Sequence, residues 1–268
     1  MAAPRFAILI PARYASSRYP GKPLVPLRAG DGTTKPLIQR TWEAACAVPG
    51  AEMVAVVTDD SRIEASVRGF GAEVIMTSPD CANGTERCAE AAAALDPGID
   101  IIVNLQGDAP LTPPWFVPPL VAALAADPGA AAATPVLRCD GAALSAFRAE
   151  RAAGRVGGTT AVFSADGNAL YFSKEVIPFD ASEYADDAPT PVFHHVGVYA
   201  YRPAALAAYA ASRQGPLEAL EGLEQLRFLE NDLAVQCVEV EARGVAFWEL
   251  NNPEDVARIE NALGAPQK

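Results

Sequence analysis

Short apolar runs alternate with stretches whose apolar residues recur at helical spacing, and this alternation carries through residue 105. Residues 6–11 form an uninterrupted apolar run, followed by a loop rich in Arg, Ser, Pro and Gly that lasts to Pro26. Residues 36–48 then place Leu37, Ile38, Trp42 and Ala45 at helical period. A second apolar run at 53–58 ends in Asp59-Asp60, with Asp60 or Ser61 placed to cap the next helix. Residues 73–76 predict a short strand, 85–95 an alanine-rich helix and 101–105 another strand. Apolar strands separated by helices imply a mostly parallel sheet with helices on both faces, a Rossmann-like α/β fold. Ligands of such sheets gather beyond the carboxyl ends of the strands, which directs attention to the loops after Ile10, Thr58, Met76 and Leu105.

The second half is less regular. Strands are predicted at 131–137, 162–163, 169–172, 196–201 and 235–240, with a turn at 165–168. Helices are predicted at 142–153, 217–229 and 253–263, the last with Asn252 as N-cap and Pro253 in the first helical position. Residues 180–191 read as an exposed polar loop. Neither a repeat nor a clear linker divides the chain, so residues 1–268 predict a single α/β domain.

Composition narrows the partners. The 268 residues are 50% hydrophobic, enough for a sizeable core, yet no uncharged run is long enough to span a bilayer. The apolar patch near the N-terminus lacks the length and cleavage site of a signal peptide, so a cytoplasmic protein is expected. Five cysteines without a CxxC pair, and only two histidines, argue against a disulfide framework and a zinc site. A net charge of −12 argues against nucleic acid. Basic residues nevertheless concentrate near the N-terminus, at Arg13, Arg18, Lys22, Arg28, Lys35 and Arg40, which suits a small anionic ligand.

The loop after the first strand carries Arg13, Arg18 and Lys22, with Gly21 allowing close backbone approach and prolines limiting its freedom. Cations so placed suit a triphosphate, whose charge must be neutralised in the ground state and more so in the transition state. Lys22 is followed by Pro23, so this is not a Walker loop, and the glycine fingerprint of a dinucleotide-binding dehydrogenase is missing.

In order along the chain stand PARYASSRYPGKPL (11–24), NGTER (83–87), LQGD (105–108), ALYFSK (169–174), HHVGVYAYR (194–202) and PLEALEGLEQLR (216–227), followed by NNPEDV near the end. Together they resemble the CMP-Kdo synthetases (3-deoxy-manno-octulosonate cytidylyltransferases) over essentially the whole chain. The resemblance implies a nucleotide-diphospho-sugar transferase-like fold with a smaller mixed sheet or insertion for dimerisation, the sugar-binding and dimerisation subregion lying around 160–235. It implies an enzyme that couples CTP to an acidic 2-keto-3-deoxy sugar, releasing pyrophosphate, for lipopolysaccharide or capsule-type glycoconjugates. It further implies Mg²⁺ and a homodimer.

Residue by residue, the resemblance puts Arg13, Arg18 and Lys22 on the triphosphate and Asn83, Gly84, Thr85 and Arg87 beside the cytosine and ribose, backbone groups reading the base. Gln106 contacts substrate and Asp108 coordinates Mg²⁺. His195, Tyr199, Glu224 and Gln225 shape the sugar pocket, and Lys174 meets an anionic group. By residue type alone, Asp108 is also a turn former, His195 also a hydrogen-bonded sheet histidine, Tyr199 also core, and Glu224-Gln225 also solvated helix surface.

Three positions depart from the family pattern. Ala109 stands in place of a glutamate, Thr160 in place of a lysine, and Asn251 in place of an aspartate that helps hold Mg²⁺. Asn251 retains a neutral oxygen for the metal without the charge. These departures leave open a CTP-binding protein with little turnover, or a cytidylyltransferase for a different acidic sugar. A nucleotidyltransferase for a neutral sugar phosphate or alditol phosphate is the further rival.

Overall fold

The computed structural model describes residues 3–15, 19–156, 158–245 and 247–264. Strand β1 (Phe6–Pro11) is wholly buried because its side chains alternate between two apolar cores. Ile8 and Ile10 enter one core, Ala7 and Leu9 the other. The chain next forms a small hairpin, β2 (Pro26–Arg28) against β3 (Thr34–Pro36), and then helix α1 (Leu37–Cys46). Strand β4 (Ala51–Thr58), helix α2 (Ser61–Gly69), strand β5 (Glu73–Met76), helix α3 (Gly84–Ala91) and strand β6 (Ile101–Leu105) complete the alternating half. Their sheet order is β5-β4-β1-β6, all parallel, so every strand delivers its carboxyl end to one edge.

Beyond β6 the chain folds α4 (Val117–Ala126), β7 (Ala132–Asp140), α5 (Gly141–Ala152), β8 (Thr159–Phe163), β9 (Ala169–Ser173), β10 (Pro189–His195) and β11 (Val198–Tyr201). Helices α6 (Pro203–Ala211), α7 (Pro216–Glu221) and α8 (Leu226–Glu230) lead to β12 (Val235–Glu239) and α9 (Asp255–Gly264). These strands extend the same sheet through β6-β11-β7-β10-β8-β9, each neighbour antiparallel, with β12 parallel to β7. The one separate sheet among the described residues is the β2–β3 hairpin. Helices α1, α2 and α4 cover one face of the main sheet, and α3, α6 and α8 serve the other.

Several predicted elements shift. The helix expected over 217–229 is two short helices, because Gly222 adopts a left-handed conformation (φ 60°) that ends α7. Glu224 and Gln225 therefore lie in the break, not on a continuous solvated helix. The loop expected to 191 ends sooner, since β10 begins at Pro189 and its residues Phe193 to His195 pair with both β7 and β8. The last helix starts at Asp255 instead of Pro253, because the Asp255 carboxylate accepts hydrogen bonds from the backbone N–H groups of Asn251 and Asn252. Asp60 caps α2 as expected, accepting from Arg62 N at 2.9 Å. Among the described residues no helix is long and apolar enough to cross a membrane.

Candidate active site

Beyond the carboxyl ends of β1 and β6 lies a cavity of about 250 Å³, walled in part by Arg13, Lys22, Asn83, Gly84, Arg87, Gln106, Asp108 and Glu224. The loop after β1 turns back through Gly21, whose N–H donates to the Tyr14 carbonyl at 2.9 Å. A side chain at Gly21 would have a left-handed backbone (φ 72°) and stand 3.1 Å from the Tyr14 ring. That turn delivers Lys22 to a single helical turn, Lys22–Leu24, from which Lys22 Nζ donates to Asp108 Oδ2 at 2.6 Å. Asp108 owes its position to Gly107, where an added Cβ would lie 2.5 Å from the Pro11 carbonyl oxygen. Only glycine lets the turn after β6 press onto the end of β1. Arg13 is exposed on the cavity wall. Arg18 lies outside the described residues.

The opposite wall is the start of α3. Asn83 caps it, accepting from Glu86 N at 2.8 Å while its amide donates to the Tyr209 hydroxyl at 3.0 Å. The Asn83 side chain is thus occupied, which leaves backbone groups as the means of reading a base. Gly84 permits close packing, since a Cβ there would stand 3.2 Å from Pro11 Cγ. Thr85 is buried and donates from its N–H and hydroxyl to Glu224, at 3.0 and 2.8 Å. Burial pushes the Glu224 carboxyl above the ordinary carboxylate range, and those Thr85 hydrogen bonds oppose the shift. Arg87 is buried and paired with Asp59 at 3.1 Å, so its charge is fixed in the wall.

The remaining candidates form a layer behind Glu224. The Tyr199 hydroxyl donates to Gln225 Oε1 at 3.1 Å, and Gln225 Nε2 is buried without a hydrogen-bond partner. Burial, with Glu224 and Glu249 nearby, holds the Tyr199 hydroxyl well above its usual pKa. His195 is buried with its Nε2 3.0 Å from the Thr134 hydroxyl and its Nδ1 3.1 Å from that of Thr159. Burial lowers its pKa to about 3, so the ring is neutral. Lys174 stands apart, on the β9 side: its N–H donates to Glu221 at 2.9 Å and its Nζ lies near Gly222. His195, Tyr199, Gln225, Thr85 and Lys174 do not line the cavity itself.

Asn251 does not line the cavity either; its neighbour Leu250 donates from its N–H to the Asp108 carbonyl at 2.8 Å. The Asn251 carboxamide donates to Glu249 Oε2 at 3.4 Å. The sequence reading missed Cys81, which lines the cavity and whose thiol is pushed up to about 11, chiefly by burial. The other departures are structural in this fold: Ala109 is fully buried, and the Thr160 hydroxyl donates to the Glu175 carbonyl. Asp108 and Asn251 offer oxygen donors only, which suits a hard divalent ion completed by water and substrate oxygens. Among the described residues no three His, Cys, Asp or Glu side chains are grouped to hold a metal unaided.

Arg13 and Lys22 past the first strand, beside a strand-end carboxylate and a glycine-tight turn, give the cavity the charge that a polyphosphate ligand requires, a chemistry that nucleotidyl transfer depends on. A cytidylyltransferase family model matches residues 7–235. Over 257 residues the chain is 43% identical to the 3-deoxy-manno-octulosonate cytidylyltransferase of Maricaulis maris, covering 96% of each. It is 39% identical over 264 residues to the 8-amino-3,8-dideoxy-manno-octulosonate cytidylyltransferase of a Shewanella species, covering 96% of this chain and 98% of that one. The solved structure of CMP:2-keto-3-deoxy-manno-octonic acid synthetase complexed with CTP superposes with a TM-score of 0.80 at 34% identity, over 96% of this chain and 97% of that chain. The chain therefore belongs to the cytidylyltransferase family, among the 3-deoxy-manno-octulosonate cytidylyltransferases.

Proposed function

We propose that this enzyme transfers the cytidylyl group of CTP to the anomeric hydroxyl of Kdo or a close 2-keto-3-deoxy sugar acid. The hydroxyl oxygen attacks the α-phosphorus, the bond to the β-phosphate breaks in line, and pyrophosphate leaves as the hydroxyl proton passes to solvent. The observation that carries this reading is the Lys22–Asp108 contact between the β1 loop and the end of β6. It sets a cation and an anchoring carboxylate side by side, where a triphosphate needs both.

Arg13 and Lys22, with Arg18, hold the triphosphate, and their charge offsets that gathering on the leaving oxygens. The segment at Asn83 to Thr85, backed by Arg87, takes the cytosine and ribose. Gln106 and Glu224 face the sugar, Gln225, Tyr199 and His195 shape its pocket from the buried layer behind them, and Lys174 meets an anionic group. Mg²⁺ would sit on Asp108 and Asn251 and supply neutralisation of phosphate charge. Asp108 also steers Lys22 in the unliganded protein, so the ammonium is held at the site before the nucleotide arrives.

A homodimer is part of the same reading. Leu170 on edge strand β9, Leu217 and Leu220 on α7, and Phe179 are exposed large apolar side chains, with Glu221 tying α7 to β9 through Ser173 and Lys174. The cytoplasm, where CTP and Mg²⁺ are at hand, is the compartment we assign, and lipopolysaccharide-type glycoconjugates the destination of the CMP-sugar. The relative named for an 8-amino-3,8-dideoxy sugar favours a second acceptor within the same chemistry. Pyrophosphate release with CTP, Mg²⁺ and a panel of sugar acids, including Kdo and its 8-amino form, tests the proposal. Release that depends on one of these acceptors is expected; CTP binding with no release from any acceptor would overturn it.

A further inference from the structure

We infer that Arg227 is a positioning residue for nucleobase selection: from α8, behind the cavity, it clamps the first turn of α3 through Glu86. The inference rests on the reading that backbone groups at Asn83 to Thr85 take the cytosine, and goes beyond it by naming what holds that backbone in place. Neither Arg227 nor Glu86 lines the cavity, whereas Asn83 and Gly84, at the start of the same helix as Glu86, do. The Arg227 side chain is 5% exposed. Its Nε and Nη2 donate to the two oxygens of Glu218 on α7, at 2.6 and 2.8 Å, and its Nη1 donates to Glu86 Oε1 at 2.9 Å. The planar guanidinium fork meets both carboxylates at once; the single ammonium of a lysine cannot fill those positions together.

Glu86 passes that hold to the cavity wall. Its other oxygen, Oε2, accepts from Ala82 N at 2.8 Å, and its own N–H donates to Asn83 Oδ1 at 2.8 Å. The turn at 82–86 is thus closed on itself and tied to Arg227 through one carboxylate. A second route runs through Tyr209, whose ring centroid lies 4.2 Å from the guanidinium carbon while its hydroxyl accepts from the Asn83 amide at 3.0 Å. The sugar side of the cavity is tied to α3 separately, by Thr85 donating to Glu224. Stability alone does not call for a buried arginine between two carboxylates, since apolar packing of the same volume serves as well; what the pair adds is direction. Direction is what base selection needs. Cytosine and uracil have nearly the same shape and differ in which edge positions donate and accept, so backbone groups tell them apart only while held in place.

The test is calorimetric titration with CTP and with UTP, Mg²⁺ present and no sugar, in the wild type, Glu86→Gln, Arg227→Lys and the double variant, with a urea unfolding curve for each. Glu86→Gln keeps an oxygen for Ala82 N, offers Arg227 no anion and leaves the Glu218 pair in place, so it reads the clamp without dismantling the core. It is expected to weaken CTP by about ten-fold and UTP by less, narrowing the preference for CTP, while KM for Kdo stays within about two-fold because Thr85–Glu224 is untouched. Arg227→Lys should act in the same direction, and the double variant should bind CTP no more weakly than the worse single one. A purely structural role would move the unfolding midpoint and leave the base preference alone. Wild-type CTP affinity and base preference in Glu86→Gln, or losses that multiply in the double variant, overturn the inference and leave the transferase reading standing. A wild type that does not prefer CTP to UTP counts against both.

Discussion

Gly107→Ala is the most informative single perturbation, because the clash it creates is with backbone at the centre of the site. The added Cβ would stand 2.5 Å from the Pro11 carbonyl oxygen and 3.6 Å from Ile38 Cδ1. Close carbon–oxygen approaches settle near 3.3 Å, so the turn carrying Asp108 must back away from β1 by about 0.8 Å. β1 cannot yield instead, since it is buried along its whole length and paired on both sides by β4 and β6. Overpacking of this kind costs about 1–3 kcal/mol of stability. Catalysis suffers more: a displacement near 1 Å at a positioning group costs about 10²-fold in rate. Pyrophosphate release at saturating CTP, with a urea unfolding curve on the same sample, reads both effects. A variant with wild-type turnover and an unchanged unfolding midpoint would show that contact between the β1 end and the β6 turn does not position Asp108.

Other expectations follow from the same geometry. Asp108→Asn should lower kcat by at least about 10²-fold while costing only about 1 kcal/mol of stability, since the Lys22 pair is partly solvated; near-normal turnover removes Asp108 from the mechanism. Glu218→Ala should cost about 3 kcal/mol in a denaturant titration, because the Arg227 guanidinium, 5% exposed, loses its bidentate partner at 2.6 Å and keeps only Glu86 at 2.9 Å; a loss under about 1 kcal/mol contradicts that. Burial lowers the pKa values of His194 and His195 to about 4 and about 3, against 6.5 for the free side chain. The unfolded chain therefore binds more protons below pH 6.5, and stability falls as pH drops through that window, by about 2 kcal/mol per imidazole at pH 5. Unfolding free energies at pH 7 and pH 5 check this, and His195→Gln should remove about half of the imidazole contribution, the His194 half remaining.

The parallel half of the fold was legible because β1, β4 and β6 are short apolar runs and α1 carries an apolar stripe at helical spacing. The second half was harder for specific reasons. In β10, Pro189 and Pro191 mask a strand whose pairing starts in earnest at Phe193. Over 217–229 the helical periodicity is real, but Gly222 takes a left-handed conformation that sequence spacing cannot reveal. That single glycine turns Glu224 inward to Thr85, where burial raises its pKa. Lys22 and the strand-end Asp108 stood out by residue type and position in the sequence, and the structure brings the two into contact at one edge of the sheet.

The most direct measurement is the structure of the protein with CTP bound. The account predicts the triphosphate within hydrogen-bond reach of Lys22 Nζ and the Arg13 guanidinium, with Asp108 on the metal side and the cytosine against Asn83 to Thr85. A nucleotide lodged elsewhere, with Lys22 still paired to Asp108 and Arg13 facing water, would contradict it.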